Sequence, residues 1–474
     1  MSTDPSLRSL SASTNAIGPI LRYRGLSAEG VRLSVTATTP LPGSRPIGTL
    51  GGAQFHAVDL DLPVREGWAA LPETVRAAAL TLPARVAVPA GDATTRVAFA
   101  SCNGSEDEAA MDGLPGGRDA MWRGLASAHA DESFHVLLMG GDQIYADALW
   151  DLPAIAAWRA LPRRERLAAP FTDEMRAALE AHYLATYARA FGSPDVAAVL
   201  ARVPSVMMWD DHDIIDGWGS RDASWQASPV ARGLFGVARR AFALVQLGVD
   251  PDGASARDGF GGVGYAWAGD LGCARLAAPD LRSHRTRRGV MSAEGHAWLG
   301  AQAAHDRPHA LLVSTVPLVN ADLSAVERIV GPLMPFADLF QDDLRDQWMS
   351  HGHRAEWARV VGMLLDAAGD RRVTVVSGEI HLGARGIASR DGREIEQFIA
   401  SGIAHPPPPR ALARGYEWFA RRTRRREGID IDMRVIAPDG RRYVAERNWL
   451  SLTLQPDGSR EAVLNAERSG RLPL

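Results

Sequence analysis

The sequence predicts an α/β fold in which a central sheet lies between helix layers, with an N-terminal β-sandwich domain over residues 1–92 and a larger α/β domain over 93–474. Three observations carry this expectation. The first ninety residues alternate apolar and polar side chains with period two. Beyond them, short continuous apolar runs alternate with helical segments. The chain of 474 residues is too long for one ordinary core and long enough for a large unit beside a smaller one.

The elements follow in order. Val31–Thr38 and Phe55–Leu62 alternate strictly and are bounded by Gly and Pro, the pattern of half-buried antiparallel strands. Pro89-Ala90-Gly91-Asp92 reads as a linker. The continuous runs are Arg96–Ser101, His135–Gly140, Ser205–Trp209, His309–Val316, Val373–Ser377 and Phe398–Ser401, which suit strands covered on both faces. Helices are expected over about 172–191, 194–202, 229–247, 292–304 and 354–368. Ser193-Pro194 and Ser228-Pro229 each place an N-cap before a proline at the first helical position. After residue 410, Met433–Ile436 and Ser451–Leu454 read as strands that cover a sheet edge.

Composition narrows the function classes. Apolar residues make up 46% and charged residues 23%, as in a globular protein. The net charge of −4 is no footprint of a nucleic-acid binder. Every basic residue other than histidine is arginine, so a lysine nucleophile or Schiff base is excluded. Two cysteines make no disulfide framework, and Cys273 reads as a core residue. No stretch is apolar for the length of a membrane span. The first residues, Met1-Ser2-Thr3-Asp4, show no basic, apolar or twin-arginine leader pattern, so the expected location is the cytoplasm.

The chemistry concentrates at the C-terminal ends of four apolar runs, where α/β sheets bind ligands. The first run leads to Cys102, which is a metal ligand as a thiolate and a small core residue otherwise. The second leads through Gly140-Gly141 to Asp142 and Tyr145, a bridging carboxylate and a hard phenolate. The third leads to Asp210-Asp211-His212-Asp213, whose acids are expensive to place together without a cation. The fourth leads to Glu379 and His381, which share one face at period two. A turn, an exposed acidic loop or a surface strand end would explain each alone. Together, Cys102, Asp142, Tyr145, Asp211, Glu379 and His381 suffice for two cations sharing Asp142, a pair suited to displacement at phosphorus.

With Ser101-Cys102, Gly141-Asp142-x-x-Tyr145, Trp209–Asp213, Ser377–His381 and Asp280-x-Arg282 in this order, the chain resembles the PhoD-type alkaline phosphatases of the calcineurin-like metallophosphoesterase superfamily. The resemblance covers about residue 93 to at least 405. It implies mixed sheets between helix layers and a phosphodiesterase or phosphomonoesterase activity on a small-molecule ester. It implies a ferric ion held by Cys102, Asp142, Tyr145 and His381. It also implies a second cation, calcium, held by Asp142, Asp211 and Glu379. The family usually has Asp where this chain has Glu379, a longer arm at the second site.

The expected mechanism has a cation lower the pKa of water for in-line attack at phosphorus, while His212 protonates the leaving alkoxide. Arg282 is the expected phosphate clamp, with Arg285 the weaker candidate. Two alternatives stay open: a related metallohydrolase acting on a non-phosphate ester, and a non-catalytic binding protein with a structural metal. His212 argues against the second. Three motifs are read as decoys. The glycines of Gly259-x-Gly261-x-x-Gly264 form a hairpin before a strand at Tyr265-Ala266-Trp267. His351-Gly352-His353 is a loop, and Arg421–Arg426 a solvated helix end. Trp218 and Trp225 either wall the pocket or only pack.

Overall fold

Two mixed sheets form the framework in the computed structural model, which describes residues 16–28, 30–253, 263–322, 346–369 and 371–474. The N-terminal strands are β1 (Ile20–Leu26), β2 (Gly30–Ala37), β3 (Arg45–Leu50), β4 (Ala53–Arg65), β5 (Trp68–Ala70) and β6 (Arg85–Ala87). Then come β7 (Thr95–Ala100), β8 (Val136–Gly140) and β9 (Ser205–Met208). The second sheet contains β10 (Trp267–Leu271), β11 (Ala274–Ala278), β12 (His309–Val313), β13 (Arg372–Ser377), β14 (Gly383–Arg390), β15 (Arg393–Ile399), β16 (Arg424–Arg426), β17 (Ile429–Met433) and β18 (Tyr443–Val444). The chain returns to the first sheet with β19 (Asn448–Leu454), β20 (Arg460–Ala466) and β21 (Gly470–Pro473).

The first sheet runs β21-β20-β19-β7-β8-β9-β1-β2-β4-β5-β6, with β3 on β4. Its centre, β7-β8-β9, is parallel, with Phe99 opposite Leu138 and Leu138 opposite Val206. In the second sheet β11, β12, β13 and β15 are parallel. These central strands are apolar on both faces, as continuous runs should be. Val97, Phe99, Leu138, Val313, Val376 and Phe398 fill one core between the sheets. Because parallel strands end together, Cys102, Asp142, Asp210, Thr315, Glu379 and Ser401 gather at one edge.

The N-terminal strands alternate as expected, but they do not close on themselves. Strand β1 pairs in parallel with β9 at Arg22 and Ser205, so this unit continues the first sheet. Buried Arg22 anchors the join by donating through Nε to the Gln246 carbonyl at 2.8 Å.

Helices Ala120–Asp131, Asp173–Phe191, Pro194–Leu200 and Pro229–Phe242 pack on the first sheet, and Ala293–Ala303 and Arg354–Ala368 on the second. The Ser228 hydroxyl caps its helix, accepting from Ala231 N–H at 3.3 Å. Ser193 occupies the same position but bonds Asp119 instead, leaving Pro194 as the only helix-start device there. After Phe242 the α-helix passes into a π-turn, Ala243–Leu247. The strand expected at Tyr265 begins at Trp267, because Tyr265 N–H is bonded to the Asp280 carboxylate. The strand expected over Met433–Ile436 ends at Met433. Strand β19 does cover the edge of β7. Gly259, Gly261 and most of the proposed hairpin lie outside the described residues.

Between β7 and β8 sits a residue with a pH consequence. His135 Nδ1 accepts the Arg96 N–H at 3.0 Å, and burial, helped by Arg96, lowers its pKa to about 4. The unfolded chain binds this proton near 6.5, so the neutral ring contributes stability at higher pH that is lost as pH falls from 6.5 towards 4. His135→Gln keeps an acceptor for the Arg96 N–H. Denaturant unfolding from pH 7 to pH 5 should show wild type losing about 2 kcal/mol more than this variant. Parallel losses in the two proteins would refute the assignment.

Candidate active site

The backbone marks the site before any side chain does. Among the described residues, seven non-glycine residues have positive φ. Glu66, Asp391 and Glu427 each precede a glycine in a tight hairpin turn. The other four are Cys102 (φ 54°), Asp142 (54°), Glu379 (67°) and His381 (55°), all predicted metal ligands. Left-handed backbone is unfavourable for such residues and persists where the surroundings impose it, most often at functional sites. The imposing contacts are visible here. Gly141 (φ 100°) turns the chain where an added Cβ would lie 2.7 Å from Asp210 Cβ. At Gly378 an added Cβ would lie 2.1 Å from Ser101 Oγ. Cys102 N–H donates to the Gly141 carbonyl at 3.1 Å and Asn103 N–H to that of Asp142 at 2.8 Å, pinning the ends of β7 and β8 together.

Two sets of side chains meet beside Asp142. Cys102 Sγ lies 3.5 Å from Asp142 Oδ2 and 3.1 Å from Ser401 Oγ, which also accepts the His381 N–H at 2.9 Å. Tyr145 Oη is 3.1 Å from His381 Nε2. One oxygen from each of Asp142, Asp210 and Asp211 lies within 4.8 Å of the others, and a second such group joins Asp211, His212 and Asp216. The Glu379 carboxylate receives Gln347 Nε2 at 3.0 and 2.8 Å.

The electrostatics ask for a cation. Burial, reinforced by Asp142, raises the Cys102 thiol pKa well above its usual value. Burial and the Cys102 and Asp142 charges raise Tyr145 likewise. Burial raises Asp142 against the opposing pull of His212. Buried Asp210 Oδ2 has no hydrogen-bond partner among the described residues. Two acids, Asp142 and Asp210, with a thiol and a phenol, resist ionising in one pocket and are a donor set that a metal ion would ionise and satisfy. His381 is pushed well below its usual value by burial and by neighbouring His405, which keeps the imidazole neutral, as a metal ligand must be. The residues present therefore fit bound metal ions.

His212 stands beside this cluster in a different state. Its Nδ1 is 2.6 Å from Asp147 Oδ2, its Nε2 is 3.3 Å from Glu106 Oε1, and its ring stacks on Tyr145 at 4.2 Å. Burial works against the charged ring, but Asp147, with Asp211 and Asp142 behind it, raises the pKa well above 6.5. These carboxylates favour the protonated ring, which is oriented through Nδ1.

Arg282 is wholly buried, and its guanidinium faces carboxylates. Nε donates to Asp210, and Nη2 lies 3.3 Å from Asp211 Oδ1 and 2.5 Å from Asp346 Oδ2. Arg285, also buried, pairs with Asp346 at 2.8 Å. These forks hold the loop after β9 and do not open onto a groove. Asp213, expected only as part of an acidic run, is a clamp: it accepts from Gln143 N–H (3.1 Å), Ile144 N–H (3.2 Å), Asp210 N–H (2.9 Å) and Gln246 Nε2 (2.7 Å). Glu106, Asp147, Ser401 and His405 were not foreseen as site residues. His405 stacks on His381 at 3.4 Å. Trp218 packs against Phe235 at 5.0 Å, whereas Trp225 lines an open groove. His353 caps a helix and bonds the Thr286 carbonyl at 2.8 Å, as a loop residue would.

A family model described as PhoD related phosphatase matches residues 92–336. The chain belongs to this family. The PhoD-related assignment covers Cys102, Asp142, Tyr145, Asp211, His212 and Arg282, while Glu379 and His381 lie beyond the matched residues. The uncharacterized protein YGR266W of Saccharomyces cerevisiae is 24% identical over 426 residues, covering 69% of this chain. The chain spans 59% of that relative's length. Among solved structures, one of PhoD superposes with a TM-score of 0.53 at 12% identity, covering 99% of this chain and 87% of that one. A purple acid phosphatase, PPD1 from yellow lupin (Lupinus luteus) seeds, gives 0.52 at 9% identity, covering 96% and 73%. These likenesses show a metallophosphoesterase-like fold. No helix among the described residues is long and apolar enough to cross a membrane.

Proposed function

We propose that this PhoD-related chain is a metal-dependent phosphoric ester hydrolase with a binuclear centre. The observation that carries the reading is that the four left-handed non-glycine residues outside hairpin turns, Asp142 among them, all fall just after strand ends, with His212 held by Asp147 and its N–H on Asp142. Cys102, Asp142, Tyr145 and His381 would hold a ferric ion, and Asp142, Asp211 and Glu379 a second cation, calcium. Such ions supply Lewis acidity at phosphorus and an activated water. The remaining work belongs to the chain. Asp147 holds His212 through Nδ1, and Nε2, beside Glu106, would deliver its proton to the leaving oxygen. Arg282 is a positioning residue that fixes Asp210 and Asp211, in place of the clamp expected from sequence. Asp213 ties the Asp142 and Asp210 loops together.

The test is hydrolysis of a chromogenic phosphodiester and its monoester by protein supplied with iron and calcium, with and without chelator. Chelator-sensitive turnover of either ester is expected. Visible charge-transfer absorption from Tyr145 on ferric iron is expected as well, and Tyr145→Phe should bleach it. A metal-loaded protein that cleaves neither ester would sink the proposal, and a colourless one the ferric assignment.

A further inference from the structure

A groove of ≈ 530 Å³ opens beside His212, within the size range of small-ligand pockets. Its inner wall is Glu106, Asp147 and Asp216, the acidic partners of His212. Its outer wall is Trp150 and Trp225 with Arg221 and Arg159. Asp147 and Trp150 sit three residues apart on one 3₁₀ turn, so a single turn reaches from the proton donor to the aromatic wall. The Arg221 guanidinium stands 5.0 Å from the Trp225 ring and 5.6 Å from Trp150, and that of Arg159 stands 5.0 Å from Trp150. Arg221 Nη2 donates to the Asp216 carbonyl at 3.0 Å, while its buried Nε has no hydrogen-bond partner among the described residues.

We infer that this groove is the leaving-group subsite, and that it takes a leaving alcohol bearing a planar aromatic ring and a second anionic group, as a nucleotide does. The inference rests on the proposed hydrolase reading for the words "leaving group"; the binding chemistry rests on the groove alone. His212 Nε2 lies 3.3 Å from Glu106, a groove residue, so a departing oxygen that takes the Nε2 proton lies on this side. As water's oxygen bonds to phosphorus, the bond from phosphorus to the leaving oxygen breaks, and the His212 proton moves to that oxygen. A proton from the attacking water restores the imidazolium. Beyond the acids, the indoles and the guanidinium planes lying over them form a stack that a further planar ring extends. The edges of the guanidiniums offer planar, permanently charged forks to a phosphate or carboxylate. Glu106 and Asp147 at the inner end disfavour an anion there and so set its direction.

The probes are adenosine 5′-monophosphate, ribose 5-phosphate and adenosine. They are titrated into metal-loaded protein by calorimetry, with inorganic phosphate held constant to occupy the centre. The monophosphate should bind at least tenfold tighter than either fragment. Arg221→Gln should weaken the monophosphate at least fivefold and leave adenosine unchanged. Trp150→Ala should weaken monophosphate and adenosine together, and Trp150→Phe should restore both. Equal affinity for the monophosphate and ribose 5-phosphate, or a monophosphate affinity indifferent to both variants, would overturn the inference. Because binding is read without turnover, a protein that hydrolyses no ester still tests the groove.

Discussion

Replacing Asp142 with asparagine is expected to lower kcat/KM for any turned-over phosphate ester on the order of 10³-fold or more, and to cut bound metal measured by elemental analysis. Asp142 is the carboxylate shared by both halves of the cluster: Cys102 approaches one oxygen, and the His212 backbone N–H donates to the other at 3.3 Å. The variant has a second signature. Burial disfavours the Asp142 carboxylate in metal-free protein, and asparagine removes that charge while keeping the shape. Metal-free Asp142→Asn should therefore melt no lower than metal-free wild type, whereas the rise in Tm on adding metal should vanish. A variant that keeps its metal-dependent Tm rise would show that Asp142 is no ligand.

The second large effect concerns His212. Its Asp147 partner keeps it protonated against the cost of burial, which is the state a general acid needs. His212→Gln should lose about 10²–10⁴-fold in kcat on alkyl esters, whose leaving groups need a proton. The loss on 4-nitrophenyl esters should be far smaller, because that phenolate leaves unaided. Plotted against leaving-group pKa, the variant's rates should fall more steeply than those of wild type. Parallel lines would remove His212 from the proton transfer and leave it a structural partner of Asp147 and Glu106.

The ends of β7, β8, β9 and β13 were readable because buried parallel strands write themselves as continuous apolar runs, and the residues after them inherit a common edge. That geometry needs no tertiary information. Glu106 and His405 come from loops, and Asp147 opens a short 3₁₀ turn, so where their side chains meet His212 and His381 depends on packing that the sequence does not write. Arg282 pairs with Asp346, 64 residues further on, and a sequence read without that pairing makes the buried fork look like a substrate clamp. The N-terminal alternation predicted strands, yet alternation says nothing about which sheet an edge will join; the β1–β9 pairing decides that.

The left-handed backbone at Cys102, Asp142, Glu379 and His381 also constrains how this site could decay. Where φ is positive, glycine and asparagine are tolerated and β-branched residues are not. A descendant that lost its chemistry while keeping its fold would not drift freely at these four positions. It would favour glycine, asparagine, aspartate or histidine there, a fossil imprint of the ligands. The loop shapes, written into the backbone by the facing sheets, would outlast the side chains they were built to present.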